Sequence, residues 1–203
     1  SSLNNLASLY YKQGLFEKAQ PLMRRALMIE LTLIQRETPY LALAERISFI
    51  RSFGPSYMRA FSLAANGKDG LKLSLFTRIN QQGLLEEIEK RQTQLMLLPG
   101  PQRLITKDLR ETSNQLASIG LRNKKWESLK ARKDELERQL YRLLPKLKPR
   151  IVEVDQVAKA IPSNGALVEY QKYQRYATNF DGDSWKEARY LAMVLMPNGD
   201  INQ

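Results

Sequence analysis

The fold of this chain is decided near its start, where residues 3–31 read LNNLASLYYKQGLFEKAQPLMRRALMIEL. Apolar and small side chains recur there at helical intervals on either side of Gly14: Leu3, Leu6, Ala7 and Tyr10, then Phe16, Ala19, Met23, Ala26 and Leu27. Steps of three and four residues predict two amphipathic helices, and Gly14 suits the turn between them because it has no Cβ. The small alanines would let the two backbones approach closely. The sequence therefore predicts an antiparallel helical hairpin.

The amino-acid composition narrows the function classes. The 203 residues include no His and no Cys, 43% are hydrophobic, and the formal net charge is +11. A serine or cysteine nucleophile activated by an imidazole is impossible here, and a zinc site built on Cys and His is excluded. Gly67-Lys68-Asp69-Gly70 lacks the spacing of a phosphate-binding loop. We therefore expect no catalytic residue, no metal site and no cofactor in this chain.

The two ends and the hydropathy pattern bear on localisation. No apolar run approaches the roughly 20 residues that cross a bilayer. The start has no signal-peptide pattern, which together with the lack of Cys favours a cytoplasmic protein without membrane association. Because the chain opens on Ser1-Ser2 and closes as a strand begins at Ile201, we expect it to be a piece of a longer protein.

Helical periodicity continues beyond the first hairpin. Gly54-Pro55 separates two helical stretches within residues 34–68, which predicts a second, degenerate hairpin stacked on the first. The stretch from residue 69 to residue 98 predicts one long helix or two nearly continuous ones, ended by Pro99-Gly100-Pro101. A connector of helices would thus occupy residues 69–150.

The second half of this connector shows apolar steps of three, four and seven on either side of a turn at 120–123. The apolar positions are Leu104 or Ile105, Leu109, Leu116 and Ile119, then Trp126, Leu129, Leu136, Leu140 and Leu143. Such spacing predicts two antiparallel helices that pack as a short coiled-coil arm, closed by Pro145 and Pro149.

The character of the sequence changes at Ile151. A short helix is predicted up to Pro162, and residues 166–173 and 189–196 are rich in strand formers. Asn198-Gly199 is a strong hairpin signal, after which a third strand would begin at Ile201. We expect one apolar face on these strands, formed by Leu167, Val168 and Tyr170 with Leu191, Met193 and Leu195. That face should pack on the helical connector or pair with a second copy as a homo-oligomer, with residues 176–185 as the most mobile loop.

The first 33 residues resemble a tetratricopeptide repeat. Leu3-Asn4-Asn5-Leu6-Ala7 and Gln20-Pro21-Leu22 are most similar to the kinesin-light-chain variety. In such a repeat the first helix lines a concave groove, and the positions beside its buried stripe are Asn4, Ser8, Tyr11 and Lys12. Their polar groups can hold an extended protein or peptide partner, and the alternative is a solvated helix face.

The C-terminal part resembles the start of a CHAT domain, a caspase-like module found behind tetratricopeptide repeats in many cyanobacterial proteins. The resemblance lies in residues 162–173 and 189–196 and in Pro197-Asn198-Gly199-Asp200. Residues 83–92 and 134–141 resemble the helical segment that joins repeats to that domain. The resemblance implies a cysteine peptidase with an α/β caspase-like sheet, a His and Cys dyad downstream of this chain, and a role in signalling.

Repeat and CHAT resemblances together imply a mainly α chain with four consecutive segments. These are a tetratricopeptide repeat at 1–33, a degenerate hairpin at 34–68, a long helix and coiled-coil hairpin at 69–150, and an incomplete N-terminal part of a CHAT domain at 151–203. The chain itself would be a protein-interaction and regulatory region that lacks the catalytic dyad. A repeat scaffold with no enzyme attached is an alternative.

The positive charge suggests another alternative, an adaptor for nucleic acid or another polyanion. Fourteen basic and six acidic residues lie between Gln102 and Arg150. A basic helical arm can bind phosphates through counterion release, but this arm has only one Trp and one Tyr for base stacking. The candidate residues are Lys124, Lys125, Lys130, Arg132 and Lys133, and the competing interpretation is a solvated helix face.

Overall fold

The structure is a computed structural model that describes residues 2–41, 43–97, 100–119, 123–143, 149–176 and 185–203. It is mainly helical, with a small three-stranded antiparallel sheet near the C-terminus, so the predicted mainly α class is confirmed at this level. The helices are α1 (Ser2–Lys12), α2 (Phe16–Glu37), α3 (Leu43–Arg51), α4 (Gly54–Ser62), α5 (Lys68–Gln81), α6 (Leu84–Met96), α7 (Gly100–Ser118), α8 (Trp126–Leu143) and α9 (Val154–Ala160). The strands are β1 (Leu167–Tyr176), β2 (Trp185–Leu195) and β3 (Ile201–Asn202).

The chain forms two compact units that are discontinuous in sequence. Unit 1 contains residues 1–34, 47–84 and 151–203, and unit 2 contains residues 35–46 and 85–150. None of the helices that the structure describes is both long and apolar enough to cross a membrane.

In unit 1, α1 and α2 form the antiparallel hairpin that the sequence predicts. Asn4 Nδ2 lies 2.6 Å from Glu30 Oε1, while the rings of Tyr11 and Phe16 meet at 5.3 Å, so the start of α1 faces the far part of α2. Gly14 takes a φ of 73°, which a residue with a Cβ avoids. The predicted α2 stripe is confirmed, since Ala19, Met23, Ala26 and Leu27 are buried.

The buried face of α1 differs from the prediction. Asn4, Ala7 and Tyr11 are buried, whereas Leu6 is 40% exposed, so the predicted stripe is wrong at that position. The reason is tertiary: Asn4 contacts Ser56 in α4, and Tyr11 contacts Tyr176 in β1. Because neighbours cover its polar positions, α1 buries a face that periodicity of apolar residues does not mark.

The approach of α5 to the end of α4 depends on Gly70. A Cβ at this position would lie 2.0 Å from the carbonyl oxygen of Leu63, so only glycine fits. Ser74 Oγ donates a hydrogen bond of 3.0 Å to Ala60 O at the same interface, and Leu75 and Phe76 are buried. The helical stretch predicted at 69–98 divides into α5 and α6, with Gly83 at a φ of 67° between them.

The sheet has the order β1-β2-β3 and packs one face on α4 and α5. Leu191, Met193 and Leu195 are buried on that face, and Arg78 Nε in α5 lies 3.0 Å from Glu169 Oε2 in β1. The sheet thus packs on α5, which begins the predicted connector, and also on α4, which lies in the predicted degenerate hairpin, while pairing with a second copy stays a prediction. β3 follows the Asn198-Gly199 turn, as predicted.

The predicted composition of the apolar face is wrong for Val168 and Tyr170. Both lie on the opposite face of the sheet, since Val168 pairs with Val194 and Tyr170 pairs with Ala192, and Tyr170 is 68% exposed. Successive residues of a strand point to opposite faces, so Val168 cannot share a face with Leu167. Residues 177–184, which contain most of the predicted mobile loop, lie outside the described residues.

Unit 2 contains the arm formed by α7 and α8. Its core consists of Leu95, Leu109, Leu136 and Leu140, with Ile105 packed against them, whereas Leu104 is 65% exposed. The structure thus decides between Leu104 and Ile105 in favour of Ile105. Residues 120–122 and 144–148, within or beside the predicted ends of the arm, lie outside the described residues.

We predict that Gly70→Ala destabilises unit 1, because the new methyl group would meet the Leu63 carbonyl and force the backbones apart. Strain of this kind costs about 1–3 kcal/mol of unfolding free energy. Urea denaturation followed by circular dichroism measures the change. Gly54→Ala is the matched control, since nothing lies within 4 Å of its added Cβ. Equal stability of the two variants would contradict this account of the α4–α5 contact.

Candidate functional site

The predicted groove positions on α1 do not form one open surface. Asn4 and Tyr11 are buried and engaged within the chain, while Ser8 and Lys12 are partly exposed. The structure thus brings Asn4 together with α2 and α4, and Tyr11 together with β1. Binding of a separate peptide by these four residues stays a prediction.

A buried polar cluster joins α1, α2 and α4. Asn4 Nδ2 donates to Glu30 Oε1 at 2.6 Å and to Ser56 Oγ at 2.9 Å, and Ser56 Oγ donates to Glu30 Oε1 at 3.0 Å. Burial raises the pKa of the Glu30 carboxyl, and the hydrogen bonds from Asn4 and Ser56 oppose that shift. The cluster is a buried acid held by two neutral donors.

Two neighbouring side chains respond to the same low-dielectric surroundings. Burial, followed by the charge of Glu30, raises the pKa of the Tyr57 hydroxyl. Burial lowers the pKa of Arg59, whose guanidinium lies 5.8 Å from the centre of the Tyr176 ring. The region therefore amplifies electrostatic interactions, because water screens them poorly.

The C-terminal end of β1 is held through its backbone by two helices. Tyr11 Oη in α1 donates to the carbonyl oxygen of Tyr176 at 3.2 Å, and Ser62 Oγ in α4 accepts from the Tyr176 amide at 2.8 Å. The rings of Tyr11 and Tyr176 are 5.6 Å apart. Helical side chains thus satisfy both backbone polar groups of one residue in an extended segment.

Val152, which precedes α9 and lies outside the helices and strands, is held in the same way. Asn80 Nδ2 in α5 donates to Val152 O, and Asn80 Oδ1 accepts from Val152 N, each at 2.8 Å. An amide side chain that pairs with the N–H and the C=O of one residue recognises the backbone of that residue rather than its side chain. Unit 1 therefore has two places where helix side chains bind both backbone groups of a residue outside the helices.

The basic residues suggested for polyanion binding fall into two groups. Lys124, Lys125, Lys130 and Arg132 are exposed, with Lys130 over the Trp126 ring at 5.1 Å and Arg132 paired to Asp108 at 3.2 Å. Lys133 is buried and forms an ion pair with Glu37. Only the first four of these cations are therefore presented to solvent, and polyanion binding stays a prediction.

Sequence reasoning missed the partners that make this region chemically distinct: Glu30, Ser56, Ser62, Asn80 and Tyr176. For Glu30 a signal was present, because it lies three residues after Leu27 and one before Leu31, within the apolar stripe of α2. An acid in such a stripe indicates a buried charge that needs partners. The others carry no such signal, since their roles depend on which elements meet.

Comparison with known proteins gives no further assignment. No family model matches the chain, and no curated protein and no solved structure shows significant similarity to it. Among the described residues, no group of three or more acidic side chains is arranged to hold a metal ion. We therefore define the candidate site by the helix side chains that hydrogen-bond to the backbones of Tyr176 and Val152.

We predict that Glu30→Gln removes a pH-dependent part of the stability. The folded-state pKa of Glu30 is raised above its ordinary value of 4.5, so folding favours the protonated form. Its contribution is fully present below that value and is lost as the pH rises through the raised pKa. The free energy of unfolding of the native chain, relative to that of the Gln variant, should therefore fall from pH 4 to pH 8. Urea titrations at several pH values measure it, with the exposed Glu187→Gln as control, and a constant difference would refute the assignment.

We also predict that the Tyr176 backbone is anchored by Ser62 and Tyr11. Ser62→Ala leaves the buried Tyr176 amide without its acceptor, which costs about 1–3 kcal/mol, and Tyr11→Phe removes one donor, which costs about 0.5–1.5 kcal/mol. Amide hydrogen exchange at Tyr176 should accelerate in both variants. Exposed Ser163→Ala is the control, and unchanged Tyr176 exchange in Ser62→Ala would contradict the anchoring.

Proposed function

We propose that this chain is the protein-interaction and regulatory region of a CHAT-type caspase-like cysteine peptidase, and that it is not itself catalytic. The proposal combines the resemblance of residues 1–33 to a tetratricopeptide repeat with that of residues 162–173 and 189–200 to the start of a CHAT domain. Within these 203 residues there is no His and no Cys, so a cysteine–histidine dyad has to come from outside them.

One observation supports the interaction role above the others. In unit 1, helix side chains bind both backbone groups of a residue outside the helices, at Tyr176 in β1 and at Val152 before α9. Helices that hold extended backbone in this way use the chemistry by which helical repeats recognise peptides. The contact at Tyr176 also joins a strand of the sheet to α1 and α4, so a displacement of either helix by a bound partner would act on the end of β1.

We predict that the reading frame beyond Gln203 encodes a His and a Cys, and that the longer product cleaves peptides. Ser62→Ala in that product should change kcat/KM several-fold, because it frees the strand end that the helices hold. The 203-residue chain alone should cleave no peptide and react with no thiol-directed probe.

Ser163→Ala in the longer product is the matched control and should leave kcat/KM unchanged. Circular dichroism at the assay temperature must show that both variants are folded. A stop codon soon after Gln203, or identical rates for Ser62→Ala and the native protein, would overturn the proposal. Peptide turnover by the 203-residue chain that disappears when one of its own residues is replaced would also contradict it.

A further inference from the structure

A cleft of about 530 Å³ opens on unit 1 beside α2, α5 and the start of α9. Its volume lies within the range of small-ligand sites, and its lining mixes apolar and charged side chains. The apolar part consists of Pro21, Leu73, Phe76 and Val154. The cleft contains none of the residues that hold Tyr176 or Val152, so it is a separate feature from the site described above.

The two basic residues of the cleft, Arg24 and Lys72, each form an ion pair with a carboxylate of the same chain. Arg24 Nη2 contacts both carboxylate oxygens of Glu153, at 2.8 and 2.6 Å, and its guanidinium lies 5.2 Å from the centre of the Phe76 ring. Lys72 Nζ lies 2.7 Å from Asp155 Oδ1, and this hydrogen bond lowers the pKa of Asp155. Both cations of the cleft are thereby matched by a carboxylate.

Two carboxylates of the lining remain without such a match. Glu17 and Asp69 are exposed at the cleft and form no ion pair with any residue that the structure describes. Since Arg24 and Lys72 are already neutralised, these two acids give the cleft a net negative charge. An acidic pair alone does not define a site, so a second observation is needed.

Gln20 supplies that observation. This residue lines the cleft, is only 9% exposed, and has no hydrogen-bond partner in the described parts of the chain. Neither of its amide atoms is enclosed away from solvent, so water bonds to the amide in the free cleft, and a ligand can take the place of that water. Beside it, Pro21 has no N–H to donate to the carbonyl of Glu17, so a further acceptor of α2 lacks its helical donor.

We propose that this cleft binds a Lys or Arg side chain of a peptide partner. The ammonium or guanidinium group lies against Glu17, Asp69 and the Gln20 oxygen, and the aliphatic stem lies on Pro21, the apolar side chain of the lining that is exposed. The space beyond one side chain accommodates the flanking peptide. A polyamine has the same chemistry, but its several charges need more carboxylates than the two that the ion pairs leave over.

The test is an NMR titration of the ¹⁵N-labelled chain with Ac-Ala-Ala-Lys-Ala-Ala-NH₂ at low ionic strength. Saturable amide shifts are expected around Glu17, Gln20 and Asp69, with at least tenfold weaker binding of the peptide that carries Gln in place of Lys. Glu17→Gln combined with Asp69→Asn should weaken binding at least tenfold. Gln20→Leu should also weaken it, and the exposed Glu187→Gln is the matched control.

Each remaining outcome decides against the proposal. Equal binding of the Lys and Gln peptides, shifts that map away from the cleft, or full binding by the double variant would overturn it. Spermidine that saturates the same shifts at lower concentration than the Lys peptide would assign the cleft to a polyamine instead. Circular dichroism of each variant separates loss of binding from loss of fold, and no outcome depends on the peptidase resemblance.

Discussion

The carboxyl group of Glu30 lies within the apolar stripe of α2, where burial raises its pKa and hydrogen bonds from polar partners offset part of the lost hydration. Asn4 from α1 and Ser56 from α4 provide those groups, so the two helices must meet at this point of α2. Removing a single partner from such a cluster leaves an uncompensated buried group. The cluster therefore fixes how three helices of unit 1 are arranged, which packing of similar apolar residues specifies less strictly.

The arrangement of α1 and α4 creates the position that β1 occupies. Tyr11 and Ser62 come from these two helices, and together they satisfy the carbonyl and amide of Tyr176. Farther along the strand, Arg78 pairs with the nearly buried Glu169, which ties the same sheet face to α5. The sheet is thus joined to the helices by directional polar contacts as well as by Leu191, Met193 and Leu195. These contacts couple the position of the sheet to the positions of α1, α4 and α5.

Local periodicity explains which parts of the fold were predictable. The α1–α2 hairpin, the division at Gly54-Pro55, the α7–α8 pair and the turn at Asn198-Gly199 follow from helical spacing, strand alternation and turn residues, which act within a few positions. Errors arose where distant elements decide exposure. Leu6 is exposed because Asn4 and Tyr11, rather than Leu6, lie on the face of α1 that contacts α4 and β1. Lys133 is buried because Glu37, which is distant in sequence, forms an ion pair with it.

The sequence by itself determined the helical class of the chain, its hairpins, the small C-terminal sheet and the absence of any imidazole or thiol chemistry. Tertiary structure alone decided which polar residues meet: Glu30 with Asn4 and Ser56, Tyr176 with Tyr11 and Ser62, and the cleft that leaves Gln20, Glu17 and Asp69 unmatched. The physical reason is the separation along the sequence over which each kind of interaction acts. Propensity and periodicity act between residues close in sequence, whereas hydrogen bonds, ion pairs and desolvation act between groups that only the folded chain brings together.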